Sequence, residues 1–437
     1  MKHTLRQRKI SGRNDEQGIV VMLVAVFMLF VVGAMAALSI DVVTLYTARS
    51  EAQLAADAAA LAAARVLANS GMTSDTSAST DGLLTSAETL ASNVATQVAA
   101  RNDVGGRRLN ANNGEVTVTF NNAAPTNPHV TVTVQRTDLP TFFARMWGWT
   151  QIAVAASATA EAYNPSSAIP FGGPATIPVA PTCVKPWLLP NEDPIYPGST
   201  TAEIFDPDSG NIKDPSLLGW SSSSLPMSMA TKSTPTAWQF YPGDPPRSFP
   251  APTQALPACA AAFTTYQQSV AGCVPLPISC SSTAYVLSSF SSTANLDTAD
   301  AVNCLTNATN GGGDTLTTTN PPTAPFQFVA GASNPIAVAN PSLAGQDLMV
   351  SDSLVTVPVF DSKSSPSVSP GSQVAIIGFV QLFLNPTGAA LPSNTDTVSA
   401  TVVNLAGCGR NAFGMGSQTP ILGNGASPVA VRLITPP

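Results

Sequence analysis

Residues 19–40, IVVMLVAVFMLFVVGAMAALSI, run for 22 positions without a charge. A helix of that length crosses a hydrocarbon core of about 30 Å at 1.5 Å per residue. Lys2, Arg6, Arg8, Lys9 and Arg13 precede the run, and Asp41 then Arg49 follow it. A basic flank stays cytoplasmic, so residues 41–437 are expected on the far side, in the periplasm or at the cell surface. Ala34, Ala36 and Ala37 could serve as the small-residue cleavage site of a secretory signal, but the apolar run exceeds a signal's usual core. A retained, single-pass anchor is the expectation.

The helix has no reason to stop at the membrane surface. No Pro or Gly interrupts the chain between Gly33 and Gly71, so one rod is expected from residue 19 to the Asn69–Gly71 stop signal. It would be roughly 75 Å long. Ten of the 17 residues from 52 to 68 are Ala, the strongest helix former. Ala52, Ala56, Ala59 and Ala63 form a smooth strip for close packing. Leu54, Asp57 and Leu61 share another face, where a carboxylate must reach water, bond Gln53 or meet a basic partner.

Composition agrees with export. Only 10% of residues are charged, with 38 Pro and 30 Gly, against roughly 25% charged in ordinary soluble domains. A net charge of −7 provides no polycation for nucleic acid. Cys183, Cys259, Cys273, Cys280, Cys304 and Cys408 contain no CxxC pair, and the chain has two His, His3 and His129. That excludes an ordinary zinc site and suits up to three disulfides in an oxidising compartment, with free buried thiols the alternative and the pairing open among fifteen connectivities.

The stretch from Gln17 to Arg65 resembles the N-terminal segment of TadE/TadG-like proteins of the tight-adherence (Flp) pilus. The matching elements are Gln17–Gly18 before the apolar run, then Ser39–Ile40–Asp41, Tyr46, Arg49 and the Ala-rich stretch from Gln53–Leu54 to Ala64. The order at Gln53–Leu54 is the reverse of the family's usual Leu-Gln. The resemblance implies a bitopic structural or assembly component of a pilus or secretion apparatus, without cofactor, touching other machinery subunits or a second copy of itself. Asp41, Tyr46, Arg49, Gln53, Leu54, Asp57 and Leu61 are then the candidate partner contacts. Prepilin-peptidase substrates carry Glu five positions after Gly; here Leu23 occupies that place, which favours an uncleaved anchor. Some relatives carry a metal-binding von Willebrand A domain. The closest string, FDSKSSPS, puts Lys363 after Asp361 where that motif needs Ser, so the metal site is not expected.

Beyond the rod, residues 81–102 repeat a helical period through Leu83, Leu84, Ala87, Leu90, Ala91, Val94 and Val98. The period becomes two at residues 115–120 and 129–136, with NNAAPTNP between them, which predicts a hairpin. LPTFFARMWGWT reads as helical to Trp147. Its Phe142, Phe143, Met146, Trp147 and Trp149 suggest a plug between sheet and rod, with an exposed patch at the membrane interface or a docking surface as the alternative. Residues 151–163 return to extended character. From Asn164 the chain is Pro-rich, and strands are expected at 353–360, 373–384, 397–404 and 428–434, forming one sheet from the chain's end. Residues 308–325 read as a mobile surface loop, and the Cys-bearing stretches around 265–290 as stapled loops.

The expected fold class is thus α+β. A long membrane-spanning helix packs on a small antiparallel sheet in pilin-like fashion, followed by a β-rich, disulfide-containing domain. The expected divisions are 1–18 cytoplasmic tail, 19–40 membrane span, 41–163 helical rod with small sheet, and 164–437 β domain. Asp206, Asp208 and Asp214 in EIFDPDSGNIKD offer calcium-type oxygens, but Gly210 stands where an EF-hand needs a ligand, so an ordinary turn is expected. No G-x-S-x-G, H-E-x-x-H, P-loop or Rossmann pattern occurs, and an enzyme is not expected. A membrane-tethered binding module or adhesin is the alternative to a pilus component.

Overall fold

The computed structural model describes residues 15–75, 82–124, 126–166, 177–192, 203–226, 241–244, 256–279, 283–286, 296–364, 371–409, 420–422 and 427–434. The basic tail and Cys280 lie outside them. The chain forms two compact units, residues 1–56 with 99–116 and 133–157, and residues 57–98 with 117–132 and 158–437. Helix α1, Asp15–Asn69, is continuous across that division. It is long and apolar enough, by length and composition, to cross a membrane. Helix α2 is Leu83–Ala100. Its fully covered seam is Leu83, Ala87, Ala91, Ala95 and Ala99, a strict i+4 ladder that takes the small residues and leaves Leu84, Leu90, Val94 and Val98 half-covered.

Strands β1 (Val116–Asn121), β2 (His129–Pro140) and β3 (Gln151–Tyr163) follow in sequence. Between β2 and β3 only Ala144–Trp147 is helical, as a single 3-10 turn. The four-stranded sheet is completed by β11, introduced below, in the order β11–β3–β2–β1.

The second unit contains β4 (Trp187–Pro190), β5 (Ser221–Pro226), β6 (Tyr241–Asp244), α3 (Thr265–Ala271), β7 (Thr283–Val286), α4 (Thr298–Leu305), β8 (Leu354–Phe360), β9 (Gln373–Leu384), β10 (Thr397–Gly407) and β11 (Ala430–Ile434). Its large sheet has the order β7–β6–β4–β8–β9–β10–β5. Because β7 also pairs with β9, five of these strands close on themselves. β9 is buried continuously from Ile376 to Leu384, as a strand covered on both faces must be. Val380, Leu382 and Leu384 enter one core with Trp187, Phe205, Val357 and Val402. Phe379 packs with Leu188 and Phe360, and Phe383 stacks on Phe328. Gly378 is required here: a Cβ would stand 2.5 Å from the Phe205 ring.

Three expectations change. The last strand does not join the sheet of β8–β10; β11 pairs antiparallel with β3, Arg432 opposite Glu161. The open edge of β3 supplies the backbone partners, and the buried Glu161 carboxylate accepts the Arg432 Nε–H. Burial pushes that carboxyl up, but His129 and Arg432 outweigh it and hold it below its usual range. Second, the stapled stretch 265–290 contains helix α3, and helix α4 follows it. α3 has a capping box from Thr264 and Gln267, and α4 carries Cys304. Third, residues 313–317 are structure, not loop. Buried Asp314 accepts from Gly331 N, Asn334 Nδ2 and Ser351 Oγ, and Thr315–Thr317 pairs with Gln327–Val329.

Cys183 is bonded to Cys273 and Cys259 to Cys304, with Cα separations of 4.5 and 5.8 Å. Cys408 is also disulfide-bonded.

The end of α1 is set by its carbonyls, which need donors from outside the helix. Ser70 Oγ donates to Leu67 O at 2.7 Å, and Asn404 Nδ2 from β10 donates to Ala68 O at 2.8 Å. Gly71 then turns the chain with φ 81°, tight against Phe326 and the Val403 carbonyl. Asn164 Nδ2 bridges Thr73 O and Leu405 O. Asn404→Ala should therefore cost about 1–3 kcal/mol, the penalty for a buried group left unpaired. A thermal melt of the detergent-solubilised protein should show a lowered midpoint, and an unchanged midpoint would remove Asn404 from this role.

Candidate functional site

The chemistry-bearing feature of the chain is α1 and the side chains that hold it. In the first unit, Ala48, Ala52, Ala55 and Ala56 are completely covered while the opposite side is open. The strip predicted from Ala spacing is thus the packed face, because a methyl side chain lets backbone approach backbone.

Three polar side chains fix this part of the helix. The Asp41 carboxylate accepts the backbone N–H of Phe142 at 2.9 Å, Phe143 at 3.0 Å and Ala144 at 2.7 Å. It caps the 3-10 turn Ala144–Trp147, taking amide donors that have no partner of their own. Glu51 Oε2 accepts from Gly105 N at 2.6 Å, and Gln53 Nε2 donates to Ser157 O at 3.3 Å. Gly105 and Gly106 both have positive φ, as a two-residue hairpin between Asp103–Val104 and Arg107–Arg108 requires. The turn is braced from β2: buried Arg136 donates to the Val104 and Gly105 carbonyls and to Asp138, which also takes Arg107. Arg107 bonds Glu115 as well and holds that carboxyl below the usual carboxylate range; Arg136 does the same for Asp138. Sequence reasoning missed Glu51 and this turn, although Gly105–Gly106 between short polar runs was a hairpin signal.

The candidate partner contacts fall into distinct places. Asp41 is buried and spent within its own chain. Tyr46 is 72% exposed and Leu54 65%, with Arg49 and Gln53 also on the open side. Asp57 and Leu61, in the second unit, are half-buried. The expected aromatic plug is overturned at two positions: Phe142 is 64% exposed and Trp149 66%. The Asp41 cap draws the backbone of residues 142–144 to the helix and leaves the Phe142 side chain outside, and Thr141 Oγ holds the Trp149 carbonyl beside it. The side chains of Met146 and Trp147 lie outside the described ones.

The second unit holds a cleft of about 1010 Å³ lined by Leu61, Arg65, Asn69, Lys185, Met349 and Asp352 among others. Lys185 is buried, and its Nζ donates to the carbonyls of Val270 at 2.7 Å and Gly272 at 2.8 Å. Burial lowers its pKa to about 7, against the opposing charge of Asp352, whose own carboxyl is raised by burial. Neither residue stood out in the sequence.

The acidic loop is a turn. Asp206 Oδ1 accepts from Asp208 N and Ser209 N, Asp214 Oδ1 accepts from Ser216 N, and Lys213 lies 3.9 Å from Asp206 Oδ2 while bonding Glu203. A cation already occupies its acidic face. Among the described residues no group of three or more His, Cys, Asp or Glu could hold a metal. Asp361 Oδ1 is likewise taken by the N–H groups of Lys363 and Ser364.

Residues 18–66 match the Tad family model, whose description reads "Putative Flp pilus-assembly TadE/G-like". The match bears out the resemblance carried by Gly18, Asp41, Tyr46, Arg49 and the alanine stretch, and it covers α1 alone, not the sheets. No curated protein and no solved structure matches the chain.

Lys185 makes stability depend on pH. Between about pH 7 and its unfolded value of 10.5 the unfolded chain binds a proton that the folded chain does not. Stability should therefore rise with pH through that window, and below it the full cost of burying the charge remains. Melting the detergent-solubilised protein from pH 6.5 to 9.5 should show this rise, and Lys185→Met should flatten it; parallel curves for the two proteins would refute it.

Proposed function

We propose that this chain is a structural or assembly subunit of a Flp/Tad-type pilus or a related secretion apparatus. Residues 19–40 hold it in a bacterial inner membrane, with the basic residues 1–18 in the cytoplasm and the bulk on the periplasmic or outer side. Its task is to present a rigid helix to other subunits of the machinery, or to a second copy, and not to catalyse a reaction. One observation carries this reading: the segment that matches the Tad model is also the part of the helix whose Tyr46–Leu54 side stays uncovered. A helix packed on its alanine face and tied by Glu51 and by Gln53 at the border of the open side keeps its Tyr46–Leu54 side in a fixed orientation, as a docking surface needs.

The cleft beside Leu61 and Lys185 favours the second reading, a membrane-tethered binding module with α1 as stalk. Photo-crosslinking separates the two. p-Benzoylphenylalanine placed at Tyr46 or Leu54 in the native cell should give adducts with other pilus-machinery proteins or with a second copy. The same probe at buried Ala52 should give none. Adducts confined to the chain itself at Tyr46 and Leu54 would defeat the assembly reading and direct attention to the cleft.

A further inference from the structure

The first unit contains an exposed aromatic tip at a defined height on α1. Asp41 is the first charged residue after the apolar run, so it marks where the helix leaves hydrocarbon. Its carboxylate is bonded directly to the amides of residues 142–144, which places the β2–β3 tip at that level. Burial on α1 reaches further down. Ala37, one turn or about 6 Å before Asp41, is 8% exposed, while its neighbours Leu38 and Ile40 stand open. The tip itself is closed: Thr141 Oγ donates to the Trp149 carbonyl, and Gly148 makes the return with φ 90°. It turns outward Phe142, Trp149 and Arg145.

We propose that the β2–β3 tip is a second membrane contact, seated in the lipid headgroup and upper acyl region beside the span, with Phe142 and Trp149 as its anchors. This rests on the reading of residues 19–40 as a membrane span. The occupant is lipid because the tip is hydrogen-bonded to the residue at which the span ends, at the level of the exposed apolar Leu38, Ile40 and Val43. Trp and Arg suit such a position, Trp by its amphipathic ring and Arg by a long apolar stem with a charged end that reaches the phosphates. A loop entering this zone carries amide groups that lose water, and unpaired amides are costly there. Asp41 removes that cost by accepting three of them, and their partial positive charges in turn neutralise a carboxylate that would otherwise be held at the edge of hydrocarbon. Asp41 is thus a positioning residue, and the aromatic side chains make the contact.

The test uses the full chain in vesicles of phosphatidylethanolamine and phosphatidylglycerol, with p-benzoylphenylalanine at Phe142 in one protein and at Val32, within the span, in another. After irradiation, mass spectrometry reads lipid adducts. Adducts at both positions support the proposal. Adducts at Val32 with none at Phe142 overturn it and leave the anchor standing. No adduct at Val32 overturns the anchor, and the proposal with it. In the native cell, Phe142 adducts to protein alone would replace lipid by a partner subunit and also overturn it. Asp41→Ala should reduce lipid capture at Phe142 severalfold while leaving capture at Val32 unchanged; equal capture at Phe142 would remove Asp41 from the mechanism.

Discussion

A long helix satisfies its own backbone everywhere except at its ends, and the end of α1 governs how the second unit is built. The carbonyls of Leu67 and Ala68 find donors in Ser70 and in Asn404, a residue more than three hundred positions later. Asn404 also donates to Gln381, so β9, β10 and the helix end share one buried polar network. Such a network is stabilising only when every member is paired. Around it sit Gly71, with no room for a side chain, and Asn164, which ties the turn after the helix to Leu405.

Alanine makes this arrangement reachable. Ala59, Ala60, Ala63 and Ala64 are fully covered in the second unit, as Ala52, Ala55 and Ala56 are in the first. Alanine loses no rotamer freedom on burial, so a closely packed helix face costs little entropy. Specificity then has to come from the few polar residues on the rod. Asp41 answers three backbone amides and Glu51 and Gln53 one backbone group each, and their spacing holds the helix in one rotation.

The seven-stranded sheet of the second unit is stabilised differently. Its central strands β8, β9 and β10 are covered on both faces by Phe, Val, Leu and Trp, and the Pro-rich segments around them are stapled by Cys183–Cys273 and Cys259–Cys304. Closing loops of that length restricts the unfolded chain, and disulfides of this kind persist in oxidising compartments. That agrees with the proposal that the chain's bulk lies beyond the membrane.

Local signals made much of this legible. Uninterrupted apolar and alanine-rich sequence dictated α1 and its stop at Asn69, period-two alternation placed β1 and β2, and apolar β-forming runs between turn residues placed β8, β9 and β10, each to within a few residues. Those features depend on neighbours in sequence: backbone propensity, side-chain period and turn residues. What depended on distant residues was not legible. Nothing local says that Arg432 will lie opposite Glu161, that Asn404 will cap Ala68, or that Lys185 will end buried against two carbonyls. The aromatic cluster at 142–149 was visible as composition, yet its direction was decided by Asp41. A carboxylate far earlier in the chain captures the tip's amides, and only the folded chain shows which side chains that capture leaves outside.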